Sequence, residues 1–576
     1  MAKQGTISIS PGKIAGPFER AVRKGDRSQV VARIMKRDAT VFTKNPKIEK
    51  LIANRLGWVD SAALMKRRVG EIERFGAQAI RDGIRHVVLM GMGGSSLCPD
   101  LFGLMHRKHP KLKSFSVIDS TDPTAVKAVA RKLEAKSTLF IVASKSGGTV
   151  ETRSHEAFFQ GWLTENKIKN IGKHFVAITD SGSGLQKSAR KQKYRKTFIN
   201  PSDIGGRYSA LSYFGLVPGF FAGVDLRALI DDAVAMQKLL TEREGELNPA
   251  LLIGAFMAVG SLVGRDKMTF VASKRVAPLV PWIEQLVAES TGKRRKGVVP
   301  IEAEPLGKIE QYGPDRTFVF MKMAGEKSAT EDRLKATLLK KKSPILDITL
   351  GSKAELGRQF LLWEAATAVA GYFLKINPFD EPNVTESKNN TKGILAAFER
   401  SGEFPDQAAS HRWGPLTLVA YGGRKKYRTK ELENLGLLLK RFMSGARKPE
   451  YLSVLNYFKS DNKTEAALNG LRKMVRDKTG IATLRGYGPR YLHSIGQLYK
   501  GGPHEGRFVV FVKGHYGHLP IPGQVYEFGQ LIAAQAIGDA RALLKRELPT
   551  LVIAVEGAPS KALEYFTRAL RRALAK

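Results

Sequence analysis

From Arg85 onward, short apolar runs that end in Gly or Ser alternate with longer stretches of helical period. His86–Met90 is followed by Gly91–Ser96, Phe115–Ile118 by Asp119–Pro123, Leu139–Ala143 by Ser144–Thr149, and Phe175–Thr179 by Asp180–Gly184. Runs that are apolar at successive positions, not only at alternate ones, belong to strands buried on both faces. Such strands need helices on both sides of the sheet. The pattern predicts an α/β fold, a doubly wound parallel sheet closing near Val224. A second unit of the same kind is predicted over 225–395. It holds helix Leu251–Val263, strand Met268–Ala272, helix Pro281–Glu289, strands near Val298–Pro300 and Thr317–Lys322, and helix Phe360–Leu374. Beyond Ala396, strand-like runs Ser453–Phe458, Ile481–Leu484, Phe508–Val512 and Leu551–Val555 alternate with helices Glu465–Lys478, Glu527–Glu547 and Pro559–Ala575, a C-terminal α/β region. Residues 1–60 read as a basic helical segment, with Val30, Val31, Ile34 and Met35 on one face. Ser401–Pro415 and Arg424–Lys430 read as loops. The division is therefore 1–60, 61–224, 225–395 and 396–576, with no fixed short repeat.

Composition narrows the class. The 576 residues suggest three to four units of about 150 residues. A hydrophobic content of 43% excludes wholesale disorder. A single cysteine, Cys98, excludes a disulfide framework and a Cys-cluster zinc site. The longest apolar run, Leu251–Val263, contains Gly254, Gly260 and Ser261 and falls short of the roughly 20 residues a membrane span needs. Met1 to Pro17 is polar and lacks the apolar core of a secretion signal. The expectation is a soluble cytoplasmic protein with no membrane partner. The charge is the anomaly: Lys and Arg number 94 against 54 Asp and Glu, a net charge of +40. Such a balance raises the question of nucleic acid. The basic clusters at Arg190–Lys196, Lys293–Lys296, Lys340–Lys342 and Arg424–Lys430 are not interleaved with aromatic stacking platforms, so nucleic acid is not the expected partner.

Two glycine- and serine-rich loops carry the candidate chemistry. Gly91-Met-Gly-Gly-Ser-Ser96 follows a predicted strand and opens a helix. Glycines let backbone approach a ligand, and free amides with hydroxyls at a helix start suit a phosphate. No Gly-Lys-Ser/Thr follows, so this is not a Walker loop. Alone, it fits a phosphate site or a plain tight turn. Ser144-Lys-Ser-Gly-Gly-Thr149 follows a second strand of the same sheet and packs three hydroxyls, a lysine and two glycines into six residues. Both loops fall at the carboxyl edge of one parallel sheet, where α/β proteins bind ligands. Together they favour phosphate over a pair of serine-rich helix caps. Arg207, behind two glycines in Ile204-Gly-Gly-Arg-Tyr-Ser209, suits a developing oxyanion or a loop ion pair. Glu289, in Glu289-Ser-Thr-Gly-Lys293 at a helix end, suits a base or a solvated carboxylate. His515 and His518 have near-metal spacing but lack a third ligand, so no metal is expected.

These motifs, with Asn377-Pro-Phe-Asp-Glu-Pro-Asn-Val-Thr-Glu-Ser-Lys388, occur in the order seen in phosphoglucose isomerases, a family built of two SIS (sugar isomerase) domains. The chain resembles that family from near Phe18 to the C-terminus. Its texture is most similar to the isomerase half of bacterial transaldolase/phosphoglucose isomerase fusions, which Gly488-Pro-Arg-Tyr-Leu-His-Ser-Ile-Gly-Gln-Leu-Tyr-Lys-Gly-Gly502 and Lys36-Arg-Asp-Ala-Thr40 also resemble. The resemblance implies SIS domains at 61–224 and 225–395, a C-terminal α/β domain, and interconversion of glucose 6-phosphate and fructose 6-phosphate without metal or cofactor. It implies that Ser95, Ser144, Ser146 and Thr149 hold the sugar phosphate, with backbone of Gly93, Gly94, Lys145 and Gly147. It assigns the proton transfer to Glu289, enediolate stabilisation to Arg207, and help in ring opening to Lys388. One departure stands out. The family's ring-opening histidine usually lies between the Glu and Lys motifs, and here none does. His493, followed by Gln497-Leu498, is the local match but comes after Lys388, so it has to reach the site from the third unit or another group opens the ring. The resemblance implies a phosphorylated hexose substrate and a homodimer. The transaldolase half has no room in this chain and is left to a separate partner. Isomerisation of mannose 6-phosphate, or a non-catalytic SIS sensor or polyanion-binding protein, remain the other readings. Against the sensor stand the presence of Glu289 and the lack of a helix-turn-helix in residues 1–60.

A positive field around the cleft speeds capture of a dianion. Raising salt from about 20 to about 200 mM is expected to lower kcat/KM for a hexose 6-phosphate while leaving kcat nearly unchanged, measured by steady-state kinetics.

Overall fold

The structure is a computed structural model that describes residues 5–243, 245–402, 411–424, 426–447 and 449–575; within these, the side chains of 246, 384, 385, 387 and 388 are outside the description. In chain order the strands are β1 (Thr6–Ser10), β2 (His86–Gly91), β3 (Ser114–Ile118), β4 (Thr138–Ala143), β5 (Phe175–Asp180), β6 (Lys196–Asn200), β7 (Lys267–Ala272), β8 (Val299–Ile301), β9 (Arg316–Met323), β10 (Ile345–Leu350), β11 (His411–Trp413), β12 (Leu416–Gly422), β13 (Tyr451–Tyr457), β14 (Ala482–Tyr487), β15 (Gly506–Lys513) and β16 (Thr550–Val555).

They form three sheets. The first, β3-β2-β4-β5-β6, is parallel throughout. Its β2 and β4 are buried at every position, as expected for strands covered by helices on both faces. The chain leaves β2 toward β3 on one side and places β4 on the other. The carboxyl ends of β2 and β4 thus flank a topological switch point, and the two glycine-serine loops start there. The second sheet, β1-β10-β9-β7-β8, is parallel except for β1. The third, β11-β12-β16-β15-β13-β14, is parallel from β14 to β16, with β12 and β11 antiparallel at one edge.

The amino-terminal segment departs from the helical expectation. Thr6–Ser10 is a strand that pairs antiparallel with β10, while helix Ala15–Arg27 packs on the buried helix Pro249–Leu262. The cause is legible afterwards: Ile7 and Ile9 alternate with polar residues and pack against the main core. Strands β6, β10 and β12 also lie outside the expected set. β11 falls inside the stretch read as the loop Ser401–Pro415, part of which lies outside the described residues, and helix Thr429–Glu433 begins inside Arg424–Lys430. Among the described residues no helix is long and apolar enough to cross a membrane.

One core unites the first two sheets with the amino-terminal helices. The third sheet has its own core on one face. Its other face shares a cluster with Ala288, Val299 and Ile301 of the second unit. Residues 519–534 of the third unit share another with the first sheet. The third unit therefore packs on both others instead of hanging from them.

A buried ionic junction reinforces that packing. Glu304, just past β8, pairs with Arg316 (Oε2 to Nη2, 3.0 Å) and accepts from the backbone N–H and the hydroxyl of Thr483 on β14, both at 2.8 Å. Arg472, from the third unit, donates to the carbonyls of Glu302 and Ala303, each at 2.7 Å. Burial alone would raise the Glu304 pKa, but Arg316 outweighs it and holds the carboxyl below the ordinary glutamate value of 4.5. A depressed acid contributes its stability fully above that ordinary value and loses it as pH falls through the folded one. Glu304→Gln is expected to destabilise the protein by about 3 kcal/mol, since it leaves Arg316 buried without its counter-charge. Denaturant unfolding at pH 7 measures this, and the deficit relative to wild type is expected to shrink as pH falls below the ordinary glutamate value of 4.5.

Candidate active site

Arg207 lies at the meeting of the first two units. It sits in the one-turn helix Gly206–Tyr208 after β6 and is 4% exposed. Its donors run into the second unit: Nε to Ser290 Oγ at 2.8 Å, and Nη2 to the carbonyls of Pro378 and Asp380 at 2.8 and 2.9 Å. Nη1 lies 3.0 Å from Glu381 Oε2 and 3.7 Å from Glu289 Oε2. Burial would lower the Arg207 pKa, but Glu381 and Glu289 outweigh it and raise it. Arg207 in turn holds Glu381 below the ordinary glutamate value, against the effect of burial.

Glu289 is held by helix Val280–Thr291 and is 7% exposed. One turn earlier on the same face, Gln285 stands 3.5 Å from the Glu289 carboxylate and donates to the His493 carbonyl at 2.7 Å. One turn later, Lys293 turns back to the same loop that Arg207 grips. Its ammonium donates to the carbonyls of Ser290 (3.1 Å) and Asn377 (2.6 Å) and pairs with Asp380 (3.0 Å). Burial, with Arg207 adding to it, pulls its pKa down to about 7.

His493 does reach this place from the third unit. It ends the short helix Arg490–His493 beyond β14, and its Nε2 stands 2.9 Å from Glu151 Oε1. Glu151 is at the start of helix Val150–Glu165, immediately after the second loop. Gln497 makes a second tie from the third unit, donating to the carbonyl of Gly292 and to Asn383 Oδ1, both at 2.9 Å.

The loops themselves differ in part from the sequence reading. Gly93 and Gly94 admit protein backbone. A Cβ on Gly93, whose φ is +57°, would stand 2.6 Å from the His493 carbonyl oxygen, and one on Gly94 would stand 1.9 Å from that of Gly206. These glycines let the first loop seat the Arg207 and His493 segments. Ser95 follows them, buried at the start of helix Gly94–Met105. In the second loop the Ser144 hydroxyl lies 3.0 Å from that of Thr149 and accepts from the Gly147 N–H at 3.1 Å, where Gly147 turns with φ of +71°. Ser146 is exposed. The Lys145 side chain turns away: it pairs with Asp180 and donates to the Ser202 carbonyl at 2.8 Å. Lys388 falls in helix Val384–Ser401, with its side chain outside the described residues. A cavity of about 600 Å³ opens beside the second loop, lined by Ser146, Thr149, Arg153, Lys392, His493 and Gln535 among others.

Sequence reasoning missed Gln285, Glu151, Glu381 and Gln535. Gln285 alone left a local signal, its spacing of four from Glu289 on one helix. Elsewhere, His518 pairs with Glu527 at 2.6 Å, and the described residues contain no group of three or more His, Cys, Asp or Glu arranged to hold a metal ion.

The arrangement puts a buried carboxylate beside a buried guanidinium, with the His493 carbonyl a single glutamine away and a hydroxyl-rich helix start alongside. That combination suits proton transfer at a carbon whose neighbouring oxygen gains charge. Comparison with known proteins points the same way. Residues 63–313 match the family model described as phosphoglucose isomerase. The chain is 26% identical over 407 residues to a glucose-6-phosphate isomerase of Carboxydothermus hydrogenoformans, covering 60% of this chain and 86% of that one. It is 29% identical over 374 residues to a probable glucose-6-phosphate isomerase of Methanococcus maripaludis, covering 55% and 80%. Two solved structures share the fold: a hypothetical protein of Thermus thermophilus (TM-score 0.57, 24% identity, 68% of this chain and all of that one) and a glucose-6-phosphate isomerase of Chlamydia trachomatis (TM-score 0.54, 19% identity, 70% and 90%). The stretch matched by that family model contains both loops, Arg207 and Glu289.

Proposed function

We propose that this protein interconverts glucose 6-phosphate and fructose 6-phosphate by moving one proton between C1 and C2 through an enediolate. The observation that carries this reading is the buried pair of Arg207 and Glu289, tied through Gln285 to the backbone carbonyl of His493. A proton α to a carbonyl is weakly acidic, so its removal needs a placed base and a placed positive charge.

In this reading the phosphate rests against Ser95, Ser144, Ser146 and Thr149. The positive end of helix Val150–Glu165 favours a dianion there. The His493 Nε2–H donates to Glu151, which leaves the lone pair on Nδ1. That nitrogen takes the C1 hydroxyl proton of the cyclic sugar. The C1–O5 bond breaks, O5 takes up the proton that His493 removed, and an aldehyde forms at C1. Glu289 then removes the C2 proton, and the electron pair moves into C1=O to give the enediolate. Arg207 neutralises the developing charge. Glu289 returns the proton to C1, and the C2 hydroxyl proton passes to O1 as C2 becomes the ketone. Lys388 joins His493 in ring opening by resemblance to the family. The scheme uses no metal or cofactor.

The same reading divides the chain into SIS units at 61–224 and 225–395 and a third at 396–576 that supplies His493. It makes the working form a homodimer in the cytoplasm, with any transaldolase reaction left to a separate chain.

A coupled assay of fructose 6-phosphate conversion tests the reaction. Glu289→Gln is expected to lower kcat by about 10³-fold with KM within about twofold, and turnover close to wild type in that variant removes Glu289 as the base. His493→Asn is expected to lower kcat by about 10²-fold on the cyclic sugars. Faster turnover of mannose 6-phosphate than of glucose 6-phosphate reassigns the substrate.

A further inference from the structure

Glu151 accepts two donors on one oxygen, and both come from the third unit. Oε1 receives His493 Nε2 at 2.9 Å and Gln535 Nε2 at 2.7 Å. Gln535 lies on helix Phe528–Leu544 and is 2% exposed. Its own oxygen accepts from the Thr121 hydroxyl at 2.7 Å, and Thr121 is fully buried in the loop after β3. The orientation of the amide is set from both ends. Its NH₂ has to face the Glu151 carboxylate, because the reverse would set oxygen against oxygen, and the Thr121 hydroxyl then donates to the amide oxygen. In a site this enclosed, each of these bonds is stronger and more directional than in solvent.

We infer that Gln535 is a positioning residue for the reaction, holding Glu151 so that the carboxylate keeps His493 in the Nε2–H tautomer with Nδ1 turned to act on substrate. The inference rests on the reading of His493 as the ring-opening group. The chain of contacts runs Thr121–Gln535–Glu151–His493, in and out of the third unit twice. Without the amide, Glu151 loses one of the contacts that fix its rotamer, and the imidazole exchanges tautomers more readily. A carboxylate could fix an imidazole unaided on an exposed surface only loosely. Here the second donor removes the remaining freedom, as outer partners do for ligand histidines generally.

Full-length Gln535→Met, similar in volume but without the amide, is expected to lower kcat about tenfold and to leave KM for fructose 6-phosphate within about twofold. Gln535→Met combined with Glu151→Gln is expected to be no slower than Glu151→Gln alone, because both act through one bond. Additive losses overturn the inference, since a residue that merely supports the helix adds its effect. The ¹⁵N shifts of the His493 ring, assigned by difference from His493→Asn, are expected to report the Nε2–H tautomer in wild type and a mixture in Gln535→Met. An unchanged tautomer in the variant also overturns it. This readout does not depend on turnover, so it separates failure of the inference from failure of the proposed reaction. Should Gln535→Met not fold, Thr121→Val removes the far anchor and is expected to move kcat and the ring shifts in the same direction, about threefold in rate.

Discussion

A guanidinium taken out of water needs acceptors for its N–H groups, and Arg207 makes four hydrogen bonds, all in the second unit. Its plane fixes where those acceptors stand: the Ser290 hydroxyl, two carbonyls of the 377–381 loop, and the Glu381 carboxylate. The desolvation cost of such a charge is offset only if the geometry is close to ideal, so the loop and the Glu289 helix are not free to drift. Lys293 grips the same loop from the other side. Aromatic packing backs the arrangement. Tyr208 stacks between Trp58 and Phe379, with ring centroids 5.4 and 5.3 Å away, and Phe42 meets Phe379 edge-on. The 3.7 Å spacing of Arg207 and Glu289 follows from these anchors. At that distance the two charges attract each other without forming a tight bidentate pair.

The third unit closes what the first two leave open. Its parallel strands end toward the other units, and the turn after β14 carries His493 over Gly93, where only a hydrogen on Cα leaves room for the carbonyl. The Glu304 and Arg472 junction holds β14 to the end of β8. Those bonds reach the site indirectly, since β14 leads into the helix that ends in His493.

Legibility in the sequence followed range. Continuous apolar strands such as β2 and β4, and the glycine-serine loops behind them, were readable because their signals lie within ten residues. Glu289 and Arg207 stood out by residue type and local context together with the family resemblance. The purpose of Gly93 and Gly94 was not readable, because the atoms they make room for belong to residues 206 and 493. Lys145 looked like an anion ligand by composition, yet Asp180, at the end of the neighbouring strand, takes it. β1 was hidden because five alternating residues inside a basic segment carry little weight until a partner edge exists. Glu151 and Gln535 were invisible for the same reason: each is an ordinary helix residue until a partner 342 or 384 positions away is folded against it.

That separation has a consequence for how the protein is made. A ribosome adding about 5–20 residues per second needs roughly 20–80 s to travel the 384 positions from Glu151 to Gln535. During that interval the first sheet is able to fold with Glu151 and Thr121 still lacking their Gln535 partner. A nascent chain stalled before residue 493 already holds both serine loops, Arg207 and Glu289, and lacks the imidazole. On the proposed reading the site is therefore completed late, when the third unit brings His493 and Gln535 to the loops already made.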